Sequence, residues 1–187
     1  MADDHPVGTP RKAPIGDQPH VFGVPLADQT QPYATAPWSC VRDEVTGLVW
    51  EVKTNDGGLH DMDWTYTWYD STGINDGGSP GTPAGGVCVG AAGCDSEKFV
   101  AGVNAAGWCG ATDWRLPGRE ELRSLVVAKD GGFLYVGDPP WFPNTPGSHW
   151  TSTPSIDSTR ARYFIQATST EGPKSNPQAV RLVRGGI

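Results

Sequence analysis

The chain has 187 residues, with 21 Asp and Glu against 14 Lys and Arg and a formal net charge of −7. That length suits one domain with an appendage and is enough to bury a core. The acidic balance argues against generic nucleic-acid binding, which needs a dominant basic surface, and no apolar run approaches the ~20 residues that span a bilayer. The 25 Gly and 17 Pro predict many turns and few long helices, and Trp is over-represented at eight. Charge is also unevenly placed: residues 1–94 carry four basic and twelve acidic side chains, residues 95–187 ten and nine. A ligand drawn by positive charge therefore docks on the C-terminal half.

Residues 1–37 hold seven prolines and only short apolar patches, and read as an extended Pro-rich arm or linker. The folded domain, 38–187, starts at Trp38. Cys40 to Thr54 has the pattern of a β-hairpin turning around Asp43-Glu44-Val45-Thr46-Gly47. Residues 55–94 contain ten glycines and read as ordered loop, with one strand over Trp64–Tyr69. Asp95 to Ala106 predicts a helix, N-capped by Asp95, with Phe99, Val100 and Val103 at helical spacing and Gly107 as its stop. A second helix follows Trp114-Arg115-Leu116-Pro117-Gly118, with Leu122, Leu125 and Val126 as one stripe. Residues 130–148 read as loop. Three strands near His149–Thr153, Ala161–Ala167 and Ala179–Val183 complete an α+β domain of antiparallel strands, two short helices and long ordered loops.

Cys40, Cys88, Cys94 and Cys109 form an even set without a C-x-x-C pair or a nearby His at zinc-ligand spacing. Four cysteines allow three pairings. The short, glycine-rich interval between Cys88 and Cys94 favours a local clip, which leaves Cys40 with Cys109. Two disulfides imply an extracytoplasmic protein, secreted or at the cell surface. Met1 to His5 lack the basic start and apolar stretch of an export signal, so the expectation is a mature or recombinant form from which that signal is gone.

Several strings carry a resemblance. They are Trp38-x-Cys40-x-x-Asp43-x-x-Thr46-Gly47-Leu48-x-Trp50-Glu51, and Asn104-Ala105-Ala106-Gly107-x-Cys109-Gly110-x-x-Asp113-Trp114-Arg115-Leu116-Pro117-x-Arg119-x-Glu121-Leu122. Trp141-Phe142-Pro143-Asn144, His149-Trp150-Thr151-Ser152 and Val180-Arg181-Leu182-Val183-Arg184-Gly185 extend the set. Over about 38–185 the chain resembles a bacterial domain family, formerly of unknown function, typified by the C-terminal domain of the Legionella collagen-like adhesin. The resemblance implies a C-type-lectin-like fold, related to formylglycine-generating enzymes and to variable proteins of diversity-generating retroelements. It also implies an extracellular setting and, in the adhesin member, trimers that bind sulfated glycosaminoglycans. Residues 1–37 lie outside it and contain no collagen-like repeat, so trimerisation through such a repeat does not carry over.

Chemistry-bearing residues are few. Trp114, Arg115, Leu116 and Pro117 read as structural: Pro117 sets a helix entry, Trp114 and Leu116 fill core, and Arg115 satisfies carbonyls or a carboxylate. The reactive cysteines of formylglycine-generating enzymes lie late in the chain, and this sequence has none after Cys109. His5, His20, His60 and His149 are scattered without a nucleophile partner, so no catalytic residue is expected. Asp56, Asp61, Asp63, Asn75 and Asp76 offer oxygen ligands for calcium, but they match no EF-hand pattern and read as turn formers, so neither metal nor other cofactor is expected. Ligand binding is argued best for the last third, through Trp141, His149, Arg160, Arg162, Tyr163 and Lys174: aromatic faces stack on sugar rings and Arg forks pair with sulfate or carboxylate. The expected partner is a glycan or surface receptor, with no nucleic acid and no membrane insertion. The alternative is a structural subunit of a surface fibre or envelope assembly, a homo-oligomer joined through its N-terminal arm.

Overall fold

Alternation along the first hairpin dictates the layering of the molecule. The computed structural model describes residues 12–15, 33–43, 45–90, 93–128, 134–136 and 141–185. β1 (Lys12–Ile15), β2 (Cys40–Asp43) and β3 (Val49–Glu51) are antiparallel neighbours, with Pro14 opposite Val41 and Cys40 opposite Glu51. Pro14 lacks an N–H and is accommodated because β1 is the edge strand. Most of the arm expected over 1–37 otherwise lies outside the described residues. The hairpin expected over 40–54 forms, closed by Gly47 at φ +71° with its N–H donating to the Asp43 carbonyl.

The segment 64–69 is extended, but it is not a regular strand. It crosses the fold through isolated bridges from Thr65 to Val87, Tyr66 to Gln178, Thr67 to Asp95 and Tyr69 to Gly81. A Cβ at Gly86 would lie 2.1 Å from the Thr65 carbonyl oxygen, so the glycine there permits close chain approach. α1 (Ser96–Ala106) has the predicted ends: the Asp95 side chain accepts from the Lys98 N–H, and Gly107 takes the left-handed conformation. A 3-10 turn over Trp108–Gly110 follows. The second helix is shorter than its apolar stripe suggested. α2 (Arg119–Arg123) buries Leu122, Leu125 follows it into the core, and Val126 instead begins β4 (Val126–Ala128).

β4 pairs with β5 (Leu134–Val136), a strand inside the stretch expected to be loop. β6 (Ser148–Pro154), β7 (Arg160–Ile165) and β8 (Thr168–Pro173) form an antiparallel meander with a register shift between Trp150 and Pro154. β6 and β7 match expectation; β8 does not appear in it. The strand expected over 179–183 shrinks to β9 (Val183–Arg184), which pairs with β3. Among the described residues the sheets are β1-β2-β3-β9, β4-β5 and β6-β7-β8, every pairing antiparallel. The α+β expectation therefore holds.

Side chains alternate across strands, so neighbours enter opposite layers. Cys40, Val49 and Leu182 join a core with Tyr66, Trp68, Phe99, Val103, Trp114 and Trp150. Val41, Trp50 and Val183 join a second core with Trp38, Leu122, Leu125, Phe142 and Phe164. The β2-β3-β9 part of the sheet is thus covered on both faces. Tryptophans fasten the irregular chain around it: Trp64 Nε1 donates to the Gly58 carbonyl, Trp68 Nε1 to Thr151, Trp114 Nε1 to Trp108 and Trp150 Nε1 to Tyr66. Each such bond ties an indole to a main-chain carbonyl distant from it along the fold or around a turn, adding a fixed point where regular ladders are sparse.

Candidate functional site

β3 continues as Val-Trp-Glu-Val-Lys, and its period of two puts Glu51 and Lys53 on the same side, inside the protein. Glu51 Oε1 accepts from Lys53 Nζ at 2.8 Å and from His60 Nδ1 at 2.7 Å, while Oε2 accepts from the Leu182 N–H at 2.8 Å. Arg181 donates from Nη1 to the Glu51 carbonyl at 2.8 Å and from Nη2 to Thr145 Oγ1 at 3.1 Å. Lys53 Nζ lies 4.3 Å from the Phe99 ring centre, and the Arg181 guanidinium 4.6 Å from that of Phe142. Burial alone would raise the Glu51 pKa, but Lys53 and His60 together hold it at about 2. An ionised carboxylate has no proton to give, so His60 Nδ1 carries the shared hydrogen. This ionic centre lies between the two cores and ties β3 to the chain's C-terminal end.

Two expected ligand residues belong to the interior. His149 is 1% exposed, and neither ring nitrogen bonds to another described residue. Burial, then the nearby Arg181 and Lys53 charges, push its pKa well below 6.5, so the ring is neutral. Lys174 is 2% exposed: Nζ donates to the carbonyls of Asp76 and Ser79 and sits 4.3 Å from the Trp68 ring centre. Trp141 is half-buried against Trp38, whose Nε1 donates to its carbonyl. Tyr163 packs edge-on to Trp150 with ring centres 5.4 Å apart.

Arg160 and Arg162 are brought together, two residues apart on β7 and both about one-third exposed. They share Glu171, which stands opposite Arg162 on β8. Arg160 Nη2 donates to the Glu171 carbonyl at 2.8 Å, while Arg160 Nε and Arg162 Nη2 lie 3.8 and 3.7 Å from its carboxylate oxygens. Ser155 Oγ also donates to that carboxylate. Two guanidiniums thus share one carboxylate on this face, and the Asp157 carboxylate also lies within electrostatic reach of Arg160.

Both disulfides form, Cys40–Cys109 and Cys88–Cys94. In the Trp114 to Pro117 motif, Trp114 and Pro117 are buried and Leu116 is half-buried. Arg115 is more exposed than a core role needs; it forms a fork with both Glu121 oxygens at 2.7 Å and donates to the Gly185 carbonyl. In the acidic loop, Asp61 accepts the N–H groups of Asp56, Gly57 and Asp63, and these bonds outweigh desolvation to lower its pKa. Among the described residues no group of three or more His, Cys, Asp or Glu is arranged to hold a metal ion.

Beside the ionic centre lies a cleft of about 280 Å³ lined by Thr54, Asp56, Leu59, His60, Ala106 and Trp108. His60 and Trp108 stack with ring centres 3.6 Å apart and an interplanar angle of 19°. Composition and motif spacing did not single out Glu51, Lys53, Arg181 or Trp108 as a site. The available signal was two charges alternating within the otherwise apolar β3 run.

These features define a disulfide-bridged α+β domain suited to an extracytoplasmic setting, and no helix among the described residues is long and apolar enough to cross a membrane. The chain belongs to the Lcl C-terminal domain family, whose pattern matches residues 39–184. That adhesin-associated family makes it a surface-associated domain. No curated protein and no solved structure matches the chain.

Proposed function

We propose that this is a non-catalytic adhesion domain with a C-type-lectin-like scaffold, secreted or displayed at the cell surface, which recognises an acidic or sulfated glycan. The observation that carries this reading is the Arg160 and Arg162 pair, about one-third exposed on one face and sharing a single carboxylate. A sulfate or carboxylate group competes with Glu171 for guanidinium forks already oriented by β7 and β8. Family membership and the disulfides support the setting. Because His149 and Lys174 are interior, the reading rests on the arginines.

The test is binding to neutral, acidic and sulfated glycans at low and physiological salt. Salt-sensitive binding to acidic glycans, abolished in the Arg160→Ala, Arg162→Ala double variant, is the expected result. Binding indifferent to those substitutions overturns the placement, and silence across the panel with a folded, oxidised protein overturns the glycan reading. The pairing of β1 with the edge of β2 favours a second reading, a fibre or envelope subunit in which a neighbour's arm takes the same edge. Sedimentation of the full chain against a form lacking residues 1–15 tests it: an oligomer that dissociates on truncation supports it, and a monomer in both rules it out.

A further inference from the structure

The tetrapeptide Asn-Asp-Gly-Gly occurs twice in the chain, at 55–58 and 75–78, and the fold treats the two copies differently. An Asp-Gly bond is a chemical weak point, because glycine has no side chain to shield its nitrogen from the aspartyl side-chain carbon Cγ. In both copies the aspartate Oδ1 accepts the N–H of the second glycine, at 2.8 and 2.9 Å. The first glycine makes the difference. The N–H groups of Asp56 and Gly57 both donate to Asp61 Oδ2, at 2.7 and 2.6 Å, which fixes the peptide plane between them. The Gly77 N–H bonds to no described residue, and Gly77 is exposed. The turn also requires this glycine: its φ is +62°, and a Cβ there would lie 2.7 Å from that of Pro154.

The second copy also meets a cation. Lys174 Nζ donates to the main-chain carbonyls of Asp76 and Ser79, whereas no described basic side chain donates to the Asp56 carbonyl. Burial disfavours the Lys174 charge, and the Asp76, Asp70 and Asp157 carboxylates oppose that effect. When the Gly77 nitrogen attacks the protonated Asp76 carboxyl, the N–Cγ bond closes a five-membered imide, and the carboxyl hydroxyl leaves as water with the amide hydrogen. Water then opens the ring at either carbonyl. Addition at Cγ restores aspartate. Addition at the main-chain carbonyl carbon breaks its bond to nitrogen, returns a hydrogen there and leaves isoaspartate, its chain routed through Cγ and its α-carboxylate free. The water lost is regained. The oxygen that gains charge in this second addition is the one Lys174 binds, and a donor aimed at a developing oxyanion lowers the barrier. We propose that Asp76-Gly77 is an isoaspartate-forming modification site, in which Lys174 steers the imide to the isoaspartyl product. The change adds a methylene to the main chain of a loop packed on Pro154 and Ser158, and it does not depend on the glycan reading.

The oxidised full chain is aged at neutral pH in heavy-oxygen water, so that every imide opening labels its product. Electron-transfer fragmentation of the digest then distinguishes isoaspartate from aspartate at each position. Both copies fall between Lys53 and Lys98, in one tryptic peptide, so every run carries its own control. Label at Asp76 should exceed that at Asp56 at least about tenfold, because charge-assisted bonds must break before Gly57 can react. In the reduced, urea-unfolded chain the two identical tetrapeptides should react alike. Lys174→Met should lower the ratio of labelled isoaspartate to labelled aspartate at Asp76 at least about threefold, whatever it does to the total. Unfolded wild type also lacks the Lys174 contact and should show the same fall, which keeps the steering testable if that variant does not fold. No label at Asp76, or equal labelling of the two copies in the folded chain, would overturn the site. A ratio at Asp76 that is the same in folded wild type, folded Lys174→Met and the unfolded chain would overturn the role of Lys174.

Discussion

Two carboxylates in this molecule each serve a pair of basic side chains, Glu51 in the interior and Glu171 on the β6–β8 sheet. Around Glu51 the contacts are 2.7–2.8 Å and every partner is buried; around Glu171 the ion-pair distances are 3.7–3.8 Å and all three side chains are about one-third exposed. In the interior no solvent competes, so charge is held in place by charge and a missing partner is severe. At the surface, water and salt screen the same attraction within about 8 Å, and each pair is worth about 0–1 kcal/mol. Chemically similar groups therefore become scaffold in one place and remain available for a ligand in the other. Burial decides which.

The sharpest way to break this contrast is Glu51→Ala. Stranding Lys53, His60 and the Leu182 N–H should cost about 3–5 kcal/mol in urea unfolding; a cost below about 1 kcal/mol would place the interior centre in the same class as the surface pair. Lys174→Met comes next. It leaves two loop carbonyls without their ammonium donor and should cost roughly 1–3 kcal/mol, with thermal unfolding as the check.

Acid sharpens the contrast with a smaller effect per pH unit. The folded pKa of His149 lies well below 6.5, so below that pH the unfolded chain binds a proton that the folded one refuses. Its stabilising contribution is complete above pH 6.5 and declines by about 1.4 kcal/mol for each unit below, until the folded pKa is reached. Glu51, lowered from 4.5 to about 2, adds a separate loss as pH falls through that lower window. Urea midpoints from pH 8 to 3 should show both, and His149→Phe should remove only the first. The least effect on stability is expected from the Arg160→Ala, Arg162→Ala variant, under about 1 kcal/mol by the same urea measurement.

Where local chemistry fixes an element, the sequence was readable. Asp95 and Gly107 mark both ends of α1 because capping is a property of neighbouring residues. The β7–β8 hairpin gave no such mark. Its two-residue turn puts Gln166 at φ +50° and Ala167 at φ +82°, a conformation ordinarily advertised by Asn-Gly, and β8 reads Thr-Ser-Thr-Glu-Gly-Pro, poor in strand formers. The stretch before β9 is extended as expected but meets several partners one bridge at a time, from Tyr66 to His149, because the chain crosses between sheets there. The interior centre was harder still. His60 is nine residues from Glu51 and Arg181 is 130, a convergence only the completed fold produces. Arg160 and Arg162 were legible as a pair because two residues along a strand share a face.

The two disulfides are nested: Cys88 and Cys94 lie within the loop that Cys40 and Cys109 close. A chain oxidised in order of emergence, N-terminus first, joins Cys40 to Cys88 and then Cys94 to Cys109, and both bonds are wrong. Reaching the native set requires one of two things. Cys40 stays reduced until β2 has met the turn after α1, or the early bonds are exchanged through mixed disulfides. Efficient maturation of this domain accordingly calls for a compartment that can reshuffle disulfides as well as form them.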